Sequence, residues 1–432
     1  MHYFNKKFLW RFVFVYFFIQ TVPLDWKFYQ ELFSINWSSL SFYDLFSLTH
    51  YSPQFFQLSG YENWLAAALI AVIAALIWPY VDRKAQIGEE QLIYWLRVIL
   101  RYRLALAVIA YGLIKVFPLQ MPYPSLSNLH TNYGDFLPWK IYYHTLGIAQ
   151  PYESFLGAVE VLAGLLLLFR RTTTFGAGII LGFTGNVFAA NLAYDAGQEV
   201  YSLYLTFIAA VLFAYDAPRL YRLLVLQEYT LANKFQSFFS RNVLRIRFAL
   251  RLLTVVFVLA LGFSTYANYR SKPYKIPQSQ GIAGSYGYYN VREFRWNNQL
   301  IPYSKTDSNR WQDVVFERWA TISIKTAKPI RLDSSIAEGY HEKDIDRNYE
   351  SAGLGGRRYF AYEADTAKQS MVLSNKNKHH RSEGYSLSYK FLNDSTIVLQ
   401  GVNEKKDSVY ALLERINRKY MLFEGRRKPI KL

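Results

Sequence analysis

Seven apolar stretches, separated by segments whose Lys/Arg content alternates high and low, constrain this chain more than any other feature. They lie at about residues 8–22, 63–80, 98–118, 155–169, 172–192, 200–215 and 248–266. Each approaches the ~20 apolar residues that cross a bilayer core. In lipid such runs must be helical, because no other open structure satisfies its own backbone hydrogen bonds. The alternation gives an orientation. The start is basic (Lys6, Lys7, Arg11), whereas residues 25–63 carry only Lys27. The next segment is basic again (Arg83, Lys84, Arg97, Arg101, Arg103), and residues 118–150 carry only Lys140. Arg170-Arg171 follow, then Asp195 and Glu199 without Lys or Arg, then a strongly basic stretch over 219–251. Lys/Arg excess marks the cytoplasmic side, so the N-terminus is expected inside and the segment after the seventh span outside. The expected location is a bacterial inner membrane, multi-pass, with the C-terminal part in the periplasm.

Composition narrows the chemistry. A formal net charge of +17 raises the question of nucleic acid. The basic residues flank apolar spans, however, where topology and anionic headgroups account for them. The expected partner is therefore the bilayer, and no nucleic acid. With no cysteine, disulfides, thiolate nucleophiles and cysteine-ligated Fe–S clusters drop out. Haem would need histidines at membrane depth. His130 and His144, the two near a span, fall in a loop. No metal, haem or Fe–S centre is expected. The first apolar run is followed by Val-Pro-Leu-Asp-Trp rather than a small-residue cleavage site, which reads as an uncleaved anchor.

The composition changes at about Tyr269. Residues 271–277 read as a linker, and short alternating segments follow. Candidate strands are 286–296, 320–325, 357–363, 369–373, 385–391, 395–400, 409–414 and 420–424. Asn393-Asp394 and the stretch 403–407 are turn signals. About eight strands predict a small antiparallel β-barrel or β-sandwich. The division that follows is 1–95, an N-terminal membrane region with two helices and an outer, surface-lying loop; 96–220, a four-helix membrane core; 221–268, a cytoplasmic segment and the last span; and 269–432, a periplasmic β-rich domain.

Ionisable groups inside apolar spans are expensive and so mark candidate sites. Lys115 lies in span three, Glu160 in span four and Asn186 in span five. At ~1.5 Å per residue, Lys115 is about 18 Å from Arg103, Glu160 about 15 Å from Arg170 and Asn186 about 22 Å from Arg171. The three are expected to share one polar pocket, opening towards Gln120, His144, Asn191 and Asp195. Two readings stand. The groups form an ion pair locking two helices, with Gly157, Glu160 and Gly164 on one close-packed face. Alternatively, they bind a ligand or pass a proton.

Spans three to six also resemble the DoxX-like (DoxX/DoxD) membrane protein family, in its larger form with a C-terminal soluble domain. The resemblance rests on Arg101-Tyr-Arg-Leu-Ala-Leu-Ala, on Tyr111-Gly-Leu-Ile-Lys-Val-Phe-Pro-Leu-Gln-Met-Pro-Tyr-Pro-Ser125, on Gly157-Ala-Val-Glu-Val-Leu-Ala-Gly164 with its continuation to Thr172, and on Asn186 through Asn191-Leu-Ala-Tyr-Asp195 to Ser202. It covers about residues 97–216 and implies a four-helix core within about seven transmembrane helices. Founding members of that family are small subunits of a quinone-reducing thiosulfate oxidoreductase, and distant ones assist receptor assembly. Two functions follow as expectations. One is a membrane scaffold or assembly component whose β-domain binds a protein partner. The other is a quinone-linked subunit of an oxidoreductase complex, with a quinone or another small hydrophobic ligand in the polar pocket.

Overall fold

The computed structural model describes residues 2–38, 40–53, 55, 60–81, 88–231, 241–271, 273–336 and 338–425. Arg83, Lys84 and residues 232–240 of the basic segments lie outside these. The helices are α1 (His2–Thr21), α2 (Trp26–Ser34), α3 (Phe42–Thr49), α4 (Glu62–Val81), α5 (Glu89–Val116), α6 (Leu126–Leu129), α7 (Pro138–Gly147), α8 (Gln150–Leu168), α9 (Thr173–Ala193), α10 (Glu199–Ala214), α11 (Ala217–Leu224), α12 (Arg241–Ser271) and α13 (Met421–Glu424). The chain forms two compact units. A helical unit comprises Met1–Pro118 and Gln150–Ser271, and a second unit comprises Leu119–Ala149 and Lys272–Leu432.

In the helical unit each of the seven apolar stretches is a helix. Five are long and apolar enough to cross a membrane, or six if the bent pair Glu199–Ala214 and Ala217–Leu224 counts as one. α5 differs, since it carries Arg97, Arg101, Arg103 and Lys115. Its Leu92, Leu96, Leu100 and Leu104 recur every four residues, forming one buried stripe. Leu167, Ile180, Ile208 and Leu212 from α8, α9 and α10 close over it. α4 and α12 instead turn large apolar side chains outward, among them Leu65, Leu69 and Leu76, and Leu252, Val256 and Phe263. The segment expected to lie on the surface after α1 does so only in part. α3 starts at a capping box of Ser41 and Asp44 and packs its Leu45 against Ala110 and Leu261. Its aromatic composition hid a helix with a buried side.

The second unit is built on nine strands: β1 (Gly287–Trp296), β2 (Gln299–Leu300), β3 (Asp313–Phe316), β4 (Thr321–Lys325), β5 (Arg357–Asp365), β6 (Ser370–Asn375), β7 (Gly384–Asn393), β8 (Thr396–Asn403) and β9 (Ser408–Arg415). All pairings are antiparallel. β2 only extends β1, and the other eight run as a meander that β1 and β9 close, with Val291 opposite Leu413. Of barrel and sandwich, the closed barrel is observed. Eight strands leave an interior that side chains can fill, and here Phe294, Trp311, Phe316, Phe360, Tyr389 and Leu399 fill it. Two strand expectations change. Residues 313–316 form a strand that alternation could not reveal, because all four positions are buried. Residues 420–424, read as a strand, contain α13 instead, for β1 already occupies the free edge of β9.

β3 and β4 are buried on both faces because the segment Leu119–Ala149 covers them from outside. Ser323 Oγ on the outer face of β4 donates to Ser127 Oγ at 2.8 Å, and Leu137 N donates to Gly353 O at 2.9 Å. The Gly353-Leu-Gly-Gly356 loop owes its glycines to this cover. Gly353 has φ +74, and a Cβ there would lie 2.7 Å from the Trp139 ring.

Candidate functional site

The seven candidate residues do not converge on one pocket. Lys115 and Glu160 do meet: Lys115 Nζ donates to Glu160 Oε1 at 2.5 Å, with both side chains buried. Backbone packing brings them together. A Cβ on Gly157 would stand 2.4 Å from Val116 N and 2.7 Å from Lys115 Cβ, and one on Gly112 would stand 2.8 Å from Gly157 O. Lys115 is thus level with Gly157, and its stem runs back towards the α5 N-terminus, as helical side chains do, to reach Glu160 one turn along α8. The same pair of helices is tied at both ends. Ser154 Oγ donates to Val116 O at 2.9 Å, while Arg101 donates to Leu167 O and Leu168 O at 2.9 and 3.0 Å, satisfying carbonyls left over at the α8 C-terminus. Glu160 Oε2 is buried with no hydrogen-bond partner among the described residues.

Asn186 is exposed on α9, and Asp195, at φ 52 in the turn after it, is exposed too. Asn191 is buried, but its Nδ2 is spent on Ser202 Oγ at 3.2 Å, which ties α9 to α10. On α9, a Cβ on Gly178 would lie 3.4 Å from the Phe213 ring, and nothing lies within 4 Å of one on Gly182. Depth alone placed Asn186 with Lys115 and Glu160; rotation about the helix axis, which depth does not fix, puts it elsewhere.

Gln120 and His144 belong to the barrel unit, in a cluster that was not anticipated. Lys275 Nζ donates to Gln120 O at 2.6 Å and stands 3.6 Å from Glu338 Oε1. Tyr143 donates its hydroxyl proton to the same carboxylate oxygen. Lys140 is wholly buried, donates to Tyr349 O and stands 3.8 Å from the centre of the Tyr349 ring. Burial, with the charge of Lys275 beside it, holds the Lys140 amine well below its usual value. Burial and Lys140 together push His144 down to about 2, so its imidazole is neutral. A buried amine held below its usual value is a candidate nucleophile. Here it is sealed in and donates to a carbonyl, so the arrangement fastens α7 to the loop bearing Tyr349.

Next to it lies a second buried network. Glu317 accepts from Ser127 N at 2.7 Å, Ser127 Oγ at 2.6 Å and Leu126 N at 3.2 Å. Glu350 accepts from Trp319 Nε1, Thr321 Oγ1 and Lys376 Nζ at 2.6, 2.8 and 2.6 Å. Burial, reinforced by Glu350, raises the Glu317 carboxyl to about 7. In the helical unit the unanticipated group is Arg103, which donates to Thr49 O and Tyr51 O and approaches Tyr201 OH at 3.4 Å. His50 packs beside it, its ring 4.1 Å from that of Tyr201 and its Nδ1 2.8 Å from Tyr111 OH. Arg103, from which the depth of Lys115 was counted, is thus bonded to the 25–63 segment. The signal that could have found this cluster is His50 directly beside Tyr51, facing a tyrosine-rich α10.

No family model matches the chain, and no solved structure matches it. A 70-residue stretch, 16% of this chain, is 34% identical to "Uncharacterized protein YwoB" of Bacillus subtilis (strain 168) and spans about half (46%) of that protein.

Proposed function

We propose that the chain is a polytopic, DoxX-like inner-membrane protein that acts as a scaffold or assembly component, presenting its β-barrel unit to a protein partner on the periplasmic side. The observation that carries the reading is that Leu119–Ala149 and Lys272–Leu432 fold into one unit. Two segments that fold together lie on one side of a bilayer, so an even number of crossings separates them. With the bent pair α10–α11 taken as one crossing, four stand between: α8, α9, α10–α11 and α12. Both segments are also those that the Lys/Arg bias assigns outside. The outward apolar side chains of α4 and α12 fit lipid as their surroundings rather than water. The barrel interior is filled, and the buried charges hold elements together, which favours presentation of a surface over catalysis. The backbone contact of Gly112 with Gly157 lies within the two runs that carry the DoxX resemblance.

The test has two parts. A reporter active only in the periplasm is active when fused after Leu432 and silent when fused within 227–242. Cross-linking in cells then recovers a defined protein partner on barrel-unit residues. A silent C-terminal fusion overturns the topology. Stoichiometric quinone in the extract of the purified chain, with no partner recovered, replaces the scaffold with the quinone-linked reading.

A further inference from the structure

α5 and α12 enclose a cavity of about 620 Å³ in the helical unit. Five arginines line it, Arg97, Arg101, Arg170, Arg247 and Arg251, against one acid, Glu90. Arg97 has its own carboxylate, Asp216 at 3.5 Å, and its guanidinium lies 3.6 Å from the centre of the Tyr215 ring. Arg97, Arg101 and Arg170 nevertheless stand close enough to repel one another. Arg247 and Arg251 come from the facing helix at i and i+4, one side of α12. The remaining wall is apolar, with Ile99, Leu106, Leu250 and Leu253 extending from the basic end along both helices.

We infer that this cavity binds an anionic lipid through its phosphate headgroup. Arg247 and Arg251 present forked donors that match phosphate oxygens, and a phosphate anion relieves the repulsion among the clustered guanidiniums. The aliphatic wall receives acyl chain, which a soluble phosphate lacks. All five arginines come from segments that the charge bias assigns to the cytoplasmic side, where anionic headgroups are concentrated and basic clefts between helices collect them. The inference rests on the membrane reading above. It adds a ligand class and a residue set to it, in segments that the charge bias assigns to the cytoplasmic side.

The experiment uses the full chain in nanodiscs of phosphatidylcholine doped with phosphatidylglycerol. Lipid retained after transfer to mild detergent is identified by native mass spectrometry. The wild type retains phosphatidylglycerol in preference to phosphatidylcholine. Arg247→Gln with Arg251→Gln lowers that preference roughly tenfold or more, as loss of one charge-assisted contact does. Arg241→Gln with Arg245→Gln removes equal charge from exposed positions off the cavity and keeps the preference. An unchanged preference in the first variant, or an equal loss in the second, overturns the assignment. Inorganic phosphate that stabilises the wild type as much as the lipid does overturns it in favour of a soluble anion. If the Arg247/Arg251 variant does not express, Arg251→Gln alone, at an exposed position, carries the same test. Recovery of the wild type in the soluble fraction without detergent refutes the membrane reading itself, a result distinct from lost lipid selection.

Discussion

Glu317 gives the barrel unit a pH dependence whose size and sign follow from its surroundings. The carboxyl is buried beneath Ser127 and close to Glu350, and its pKa stands at about 7 instead of the ordinary 4.5. At about 1.36 kcal/mol per pH unit, that difference is on the order of 3 kcal/mol. Below about 4.5 the folded and unfolded chains both carry the proton, and above about 7 both have lost it. Between these values the folded chain binds a proton that the unfolded chain has released. Stability therefore falls as pH rises through this window, and the whole cost is present above about 7. His144 and His130, held down to about 2 and about 4, act oppositely, because the unfolded chain protonates them below about 6.5. A raw stability profile mixes the three, so the difference between wild type and Glu317→Gln isolates the carboxyl. The amide keeps an acceptor for Ser127 and loses the bond from Leu126 N, a constant offset of about 1 kcal/mol. Denaturant unfolding of the full chain in detergent, followed by the strand signal in circular dichroism at pH 5, 6, 7 and 8, gives that difference. It is expected to shift by on the order of 3 kcal/mol in favour of the variant from pH 5 to pH 8. A difference independent of pH would falsify the placement of an ionisable Glu317 beneath Ser127.

Removing one partner of the Lys115–Glu160 pair leaves a buried charge, so Glu160→Gln and Lys115→Met should each cost ~3–5 kcal/mol, with the double variant recovering part of it; additive losses in a thermal-unfolding cycle would mean the two do not interact. Residues 278–432 expressed alone should stay β-rich but unfold at lower denaturant, because Glu317, Ser323 and Tyr349 lose buried partners supplied by Ser127 and Lys140. Joining 119–149 to 272–432 through a flexible linker should recover the lost stability, and equal denaturant midpoints for the two would count against the covering role of Leu119–Ala149.

The parts of this structure legible in the sequence are those written in a single period. All seven apolar runs are helices, and the alternation of Tyr385-Ser-Leu-Ser-Tyr places Leu387 and Tyr389 inside the barrel and Ser386 and Ser388 outside. The Lys115–Glu160 contact was legible because two ionisable groups of opposite sign lie in consecutive apolar runs and Gly157 and Gly164 marked the contacting face. Features fixed by two periods at once were not. Asp313-Val-Val-Phe is buried on both sides, so it shows no alternation at all. Asn186 was placed by depth alone, which leaves its azimuth open, and it is exposed on α9. The cluster around Lys140, Lys275, Tyr143 and Tyr349 joins residues up to 209 positions apart, and no local pattern announces such a pairing.

The units divide at Ser271/Lys272, within the linker read from composition, but composition did not show that Leu119–Ala149 belongs to the second unit. A boundary read from composition assumes that a domain is continuous. Here the first piece of the barrel unit, Leu119–Ala149, is synthesised before α8, while Glu317, which accepts its Ser127 N–H, follows 190 residues later. Contacts of that separation carry a large loop-closure cost and form late. The strands can close on their own hairpins first, since β4 to β9 pair only with sequential neighbours apart from the β1–β9 seam. The polar outer faces of β3, β4 and β5 then remain unsatisfied until the earlier segment docks. Glu317, Ser323 and Arg357 are hydrophilic enough to wait in water and gain Ser127 and His130 as partners only once covered. Polar residues at those positions therefore serve assembly order: an apolar patch there would pair with any passing edge, whereas this surface becomes stable only against donors placed where Leu126, Ser127 and Asn128 place theirs.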